Sequence, residues 1–353
     1  MSAPPPVDSQ EAPATGPLPA DAAASPLGIH VSRIQKLLFA VGTVIAAYFI
    51  YLIVRQVDVH TLGAILGRSN PLFLALAFAA IATAYVFRTA RLHFIVSQHS
   101  AQSSMGKCAK AILIGIAINN IYPFRLGDVY RVVAFRSLLG IDGAKMLGAL
   151  VIERIVDLGC ILAFLALSLS LSQSEVSDSH LRFWIVVLTC AAIAAFILML
   201  FTPRPLRWLL AIFRPKLPIL RPVLDFADSL LEGVASAMAP RSIVVIIAIA
   251  LAGWTVELGV FSWMVSQAVG LSASFAGALL GIVLGNLSTL FPNVPGYVGT
   301  FDYFTVLGVT SAGGDANQGA AFAIVAHATI WLFTTGAGLL YFAVDRYRRF
   351  HPA

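Results

Sequence analysis

The sequence predicts an all-α polytopic membrane protein with about six full transmembrane helices. Two re-entrant helical hairpins of opposite sidedness complete an inverted repeat. Three observations carry this prediction. Of the 353 residues, 59% are hydrophobic and 11% charged, with mean hydropathy +0.86; a soluble chain is about one-quarter charged. Apolar runs long enough to cross a bilayer, roughly 20 residues, recur along the chain. Finally, two short segments start as apolar helices, break at Pro and Gly, and end at an Asp. The first reads Gly115-Ile116, Asn119-Asn120, Pro123, Arg125, Gly127-Asp128. The second reads Gly281-Ile282, Asn286, Pro292, Pro295-Gly296, Gly299, Asp302. Irregular backbone at membrane depth is tolerated only where protein buries it or it lines a cavity. Paired breaks in matching halves therefore point to a transport site.

Residues 1–30 are rich in Pro, Ala and Ser and read as a disordered cytoplasmic tail, without the basic start and apolar core of a secretory signal. The membrane domain follows at 31–345, with spans at about 37–54, 71–87, 147–172, 183–202, 242–269 and 319–343. The repeat halves are about 71–172 and 242–343. Between them, 203–241 is first Pro-rich and basic, then amphipathic, and reads as a cytoplasmic linker with a surface helix suited to anionic headgroups. Residues 346–353 form a basic tail. Cys108, Cys160 and Cys190 lie in or beside apolar runs without metal or CxxC spacing and read as free thiols.

Basic residues orient the spans. Nineteen of the 23 Lys and Arg group on one side, the cytoplasmic one, including Arg88, Arg91, Lys107 and Lys110. The loops 173–181 and 310–318 hold no Lys or Arg, as outer loops should. Both ends of 111–124 are basic and both ends of 272–318 are not. The first segment should thus enter and leave from the cytoplasm, the second from outside, and both termini should be cytoplasmic. The alternative is eight ordinary crossings.

Ionisable groups inside spans are expensive and mark functional candidates. Glu153 and Asp157 share one face of the 147–172 helix, with Arg154 beside them; pairing with Arg125 or Arg131 is expected. That set is either a lattice that holds the first hairpin or part of a binding site. Glu257 lies roughly 24 Å of helix rise from Arg241. With no cation nearby in its own helix it is expected to be neutral, because burial penalises charge. His327 sits a third of the way along the last span; with Glu257 it is a candidate for proton coupling, the alternative being a hydrogen-bonded core histidine. Arg125, Asp128 and Arg131 cluster where the first hairpin exits, and Arg offers a planar fork that matches phosphate. Asn120 and Asn286 sit just before the two breaks. Gly281 and Gly285 form a GxxxG that permits close backbone approach.

No catalytic set is visible: no zinc-spaced His/Cys cluster, no Walker loop, no GxSxG. No metal, cofactor, nucleic-acid partner, enzymatic activity or ATP-driven transport is expected, and no particular oligomer is signalled.

The pattern Asn120-x2-Pro123-x-Arg125-x-Gly127-Asp128-x2-Arg131, then Glu153-Arg154-x2-Asp157, then Pro292-x2-Pro295-Gly296-x2-Gly299-x2-Asp302 resembles the transmembrane region of lysylphosphatidylglycerol synthases. This family is also called flippase-like, or UPF0104. The likeness runs over about residues 33–345. It implies movement of a lipid with a phosphate-containing head group across a bacterial inner membrane, with Arg125, Asp128, Arg131, Glu153, Asp157 and Asp302 as motif residues. Asp128 and Asp302 stand where the family usually has Glu, and Tyr297 stands where it has the second Gly of Pro-Gly-Gly. The 353 residues hold no match to the aminoacyltransferase half of the family's fused members, so synthesis of lysyl-lipid by them is not expected.

The expected function is an inner-membrane translocator for a phospholipid, hopanoid or polyprenyl-linked lipid, with membrane lipid as the principal partner. One alternative is a membrane subunit that scaffolds or regulates a lipid-modifying enzyme or glycosyltransferase through the basic linker. A second is a proton-coupled small-solute carrier.

Overall fold

The computed structural model of the chain describes residues 33–122, 125–172, 221–237, 239–290 and 295–350, with a few isolated positions between 183 and 208. The expected span at 183–202 and most of the linker before 221 lie outside the described residues, as does the 1–30 tail.

Thirteen α-helices run through the described residues. The first, α1 (Arg33–Val54), bends by 88° into α2 (Val59–Gly67), whose first turn is capped by Asp58. α3 (Pro71–Ser97) begins at an Asn70 cap followed by Pro at its first position. α4 (Met105–Ile121) and α5 (Leu126–Ala134) are the arms of hairpin one, and α6 (Arg136–Leu139) leads to α7 (Gly143–Leu171), capped by Asp142. In the second half, α8 (Arg221–Ala237) precedes α9 (Pro240–Trp254). A π-helical turn, Thr255–Val260, joins α9 to α10 (Phe261–Val269). α11 (Phe275–Ser288), a 3-10 turn at Pro295–Tyr297 and α12 (Thr300–Ser311) make hairpin two, and α13 (Ala316–Phe350) closes the chain.

Among the described residues, three helices are long and apolar enough to cross a membrane, namely α3, α9–α10 as one and α13; the bent α1–α2 pair brings a fourth. α7 has 29 residues but carries Lys145, Glu153, Arg154 and Asp157. α8 is the expected amphipathic helix. It packs on the first turns of α7, where Lys145 pairs with Glu232 at 2.8 Å and Gly148 admits the Leu230 carbonyl.

α13 fixes the sidedness of the hairpins relative to each other. Near its start, Gln318 accepts from Ser272 N and Oγ, at the base of hairpin two (3.0 and 2.6 Å). Further on, His327 bonds the tip of hairpin two at Gly296. Next come Thr334 and Thr335, which accept from Asn120 at the tip of hairpin one (2.9 Å each). Near the end, Asp345 pairs with Lys110 at the base of hairpin one (2.5 Å). The two hairpins thus approach from opposite ends of one helix and meet tip to tip at its middle.

Small residues make this possible. A Cβ on Gly127 would fall on the Gly115 carbonyl, and one on Gly308 would sit 2.5 Å from Gly281 Cα. The arms of each hairpin therefore touch backbone to backbone. In an apolar solvent such close packing replaces the hydrophobic drive between helices. Gly281 and Gly285 belong to this seam, against Thr305 and Val309 of α12. Hairpin one also packs on α13 and hairpin two on α7, so each half of the repeat embraces the hairpin of the other.

One expectation is corrected. Arg88 and Arg91 are not surface charges at a helix end: α3 continues through Leu92, Ile95 and Val96 to Ser97, and Arg91 is 2% exposed.

Candidate functional site

The hairpin tips enclose a cavity of about 160 Å³. Eight of the ten residues singled out from the sequence line it: Asn120, Arg125, Arg131, Glu153, Asp157, Glu257, Asn286 and His327. Asp128 and Asp302 lie behind that lining and hold parts of it in place.

Three ion-pair groups organise the walls. In the first, Asp128 on α5 accepts from Arg154 of α7 at 2.6 Å and from Asn119 at 3.2 Å. Asn119 in turn accepts from Gly127 N at 2.7 Å, which ties the two arms of hairpin one across its break. In the second, Arg131 reaches Glu153 at 2.8 Å, with side chains 5% and 6% exposed. The third joins α3, α7 and the π turn. Arg91 and Trp254 both donate to Asp157 (2.7 and 2.8 Å), and Arg88 grips Glu257 at 2.7 Å while standing 3.7 Å from Asp157. Arg88 also lies over the Trp254 ring, 4.4 Å from its centroid, a cation–π contact.

These pairings revise two sequence expectations. Glu257 is not a lone carboxyl in a span: Arg88, 169 residues away, supplies its cation. The π turn accounts for its aim, since a widened turn re-orients one side chain and such turns recur at functional sites. Asp157 pairs with Arg91 and Arg88, not with the hairpin arginines; of the expected pairings, only Glu153 with Arg131 forms. Glu257 and His327 face the same cavity without a hydrogen bond between them; each has its own partner.

Arg125 differs from the other arginines. It caps α5 with φ +51°, and Nη2 donates to the Thr289 carbonyl at the far end of α11, tying one hairpin tip to the other. Among the described residues it has no carboxylate partner. Asn286 donates to the Ile282 carbonyl one turn earlier in its own helix (2.9 Å).

At the second tip, Asp302 accepts from Gly299 N at 2.9 Å and contacts His327 Nδ1 at 2.8 Å. The 3-10 turn carries two consecutive left-handed residues, Gly296 at φ +69° and Tyr297 at φ +60°. A left-handed conformation costs a non-glycine residue roughly 1–2 kcal/mol. The turn is thus kept at the expense of strain on Tyr297.

The residues that sequence reasoning missed are Arg88, Arg91, Asn119 and Trp254. The signal for the arginines was the mostly apolar stretch 92–96 after them, broken only by His93, which carries the helix on past them. Among the described residues, no group of three metal-ligating side chains is assembled.

A helical, multi-pass membrane protein whose paired hairpins meet over a charged, sheltered cavity is the class that fold and site define. A family model for the lysylphosphatidylglycerol synthase TM region matches residues 39–338, and the chain belongs to that family. No curated protein and no solved structure matches it.

Proposed function

We propose that this protein moves a phosphate-bearing lipid between the leaflets of a bacterial inner membrane, with both termini in the cytoplasm and the cavity as the station for the head group. One observation carries the reading: the lining of the cavity holds more cations than anions. Arg88, Arg91, Arg125, Arg131 and Arg154 face Glu153, Asp157 and Glu257; with Asp128 behind the lining neutralising Arg154, the formal excess is one positive charge. Among the described residues, the Nε atoms of Arg91 and Arg131 are buried without an acceptor. Buried donors normally find partners, because an unmade hydrogen bond costs about 1–3 kcal/mol. A phosphate diester entering the cavity brings negative charge to the guanidinium groups that line it, in the geometry they favour. The cavity is small beside a whole phospholipid, so the head group alone occupies it and the acyl chains stay in the bilayer.

The hairpin tips supply the moving parts. Arg125 bonds hairpin two and stands at the cavity wall, so binding an anion there competes with the contact to Thr289. The exchange of that bond for a phosphate loosens one tip from the other.

Arg125 is the residue to test. Its removal strands no carboxylate, unlike removal of Arg131 or Arg91. Proteoliposomes would carry a fluorescent phospholipid, and a membrane-impermeant quencher would read its passage between leaflets. Arg125→Ala should slow passage about tenfold or more at unchanged protein yield. Wild-type protein that moves no phosphate-bearing lipid, or a variant equal to it, overturns the proposal. A scaffold for a lipid-modifying enzyme predicts another pattern: charge reversal at Arg204, Arg207 and Arg214 would abolish its action, and Arg125→Ala would not.

A further inference from the structure

We infer that His327 and Asp302 form a proton-binding site that latches the tip of hairpin two. The reasoning is a count of donors. His327 Nε2 lies 2.7 Å from the Gly296 carbonyl and Nδ1 lies 2.8 Å from Asp302 Oδ1. A carbonyl only accepts, so Nε2 carries a hydrogen. An ionised carboxylate also only accepts, so either Nδ1 carries a second hydrogen or Asp302 is itself protonated and donates. In both cases the pair holds one proton more than a neutral imidazole beside a carboxylate. The arrangement is the proton-loaded state.

Loss of that proton breaks the arrangement. A neutral imidazole has one N–H, enough for Asp302 or for Gly296 but not for both. The unmatched nitrogen then points its lone pair at an oxygen 2.7–2.8 Å away. What comes free is the turn already under backbone strain, with Gly296 and Tyr297 both left-handed. Strained backbone persists only where its surroundings over-determine it. The side chains of His327 and Asp302 are 15% and 16% exposed, so the proton has a route to water. The pair is also isolated. Among the described residues, Asp302 is the one charged group bonded to the ring, and Phe301 packs beside it with centroids 4.9 Å apart. The other titratable or charged groups that line the same cavity, among the described residues, are Tyr297 on the turn, Tyr85, Arg88 and Arg91 on α3, Arg125 and Arg131 on hairpin one, Glu153, Arg154 and Asp157 on α7, and Glu257 on the π turn; Tyr303 lies on α12, and α11 holds none.

The ligand is a proton and its effect is mechanical. Bound, it ties α13 to both α12 and the tip that touches hairpin one; released, it frees that tip. A part in driving lipid movement rests on the function proposed above, whereas the latch is tested without it. Amide hydrogen exchange of the full chain in lipid nanodiscs would be read over residues 295–303 at about pH 5.5 and about pH 9, normalised to the chemical exchange rate at each pH. Wild-type protection should fall about tenfold at the higher pH while α3 is unchanged. In Asp302→Asn an amide donates to Nδ1 at every pH, so protection should stay within about twofold. His327→Gln has no proton to lose, and its exchange should not respond to pH. A wild-type profile flat across pH, or either variant keeping the full pH response, overturns the latch.

Discussion

The pair Arg131–Glu153 gives the most decisive test of how the charged wall is built. Its atoms are 2.8 Å apart with both side chains almost fully enclosed. At an effective dielectric of about 20, two unit charges at that distance attract by roughly 6 kcal/mol, before desolvation is subtracted. Removing one partner leaves a buried charge unpaired, which costs about 3–5 kcal/mol. Arg131→Met and Glu153→Leu should each lower stability by that amount. The double variant replaces the pair with apolar side chains of similar reach and should lose no more than about 2 kcal/mol. The coupling in the double-mutant cycle is then at least about 4 kcal/mol. Equilibrium unfolding in mixed detergent micelles measures all four proteins. Additive single effects would refute the claim that the two residues are a buried, mutually dependent pair. The double variant should also lose lipid movement despite its recovered stability, because an anion no longer meets the Arg131 fork.

Other outcomes follow from individual contacts. Glu257→Gln should destabilise by about 3 kcal/mol, because it leaves Arg88 with Asp157 alone at 3.7 Å; an unchanged unfolding midpoint would mean that the Arg88–Glu257 pair adds nothing to stability. Tyr297→Gly should raise the midpoint, since glycine adopts φ +60° without strain, whereas Tyr297→Val should lower stability by about 1–2 kcal/mol. Gly127→Ala drives a methyl into the Gly115 carbonyl and should cost about 1–3 kcal/mol, with Gly106→Ala, which meets open space, as the neutral control.

Five of the expected spans coincide with helices: 37–54 in α1, 71–87 in α3, 147–172 in α7, 242–269 in α9–α10 and 319–343 in α13. They were legible because hydropathy and Pro/Gly punctuation are local properties. The two breaks were legible for the same reason, and so was their opposite approach, since Lys and Arg avoid one side of a membrane. The site was legible only as a set of residue types. Glu257 shows why: its helix offers no cation, and nothing in the sequence near it points to a residue 169 positions earlier. Arg88 and Arg91 were placed at a surface because two arginines usually end a span. Their true position depends on two carboxylates, from α7 and the π turn, and an indole from the end of α9.

By itself, then, the sequence determined that this chain is helical, lies in a bilayer, and turns back twice within it, because burial in lipid acts on each segment separately. Tertiary structure alone decided which charge meets which, that the tips of the hairpins touch through Arg125 and Thr289, and that His327 stands between Asp302 and Gly296. Those outcomes depend on the rotation and depth of whole helices against one another. Contacts between residues 164 and 214 positions apart, as for Arg125–Thr289 and Asn120–Thr334, set both at once, and no local pattern encodes them.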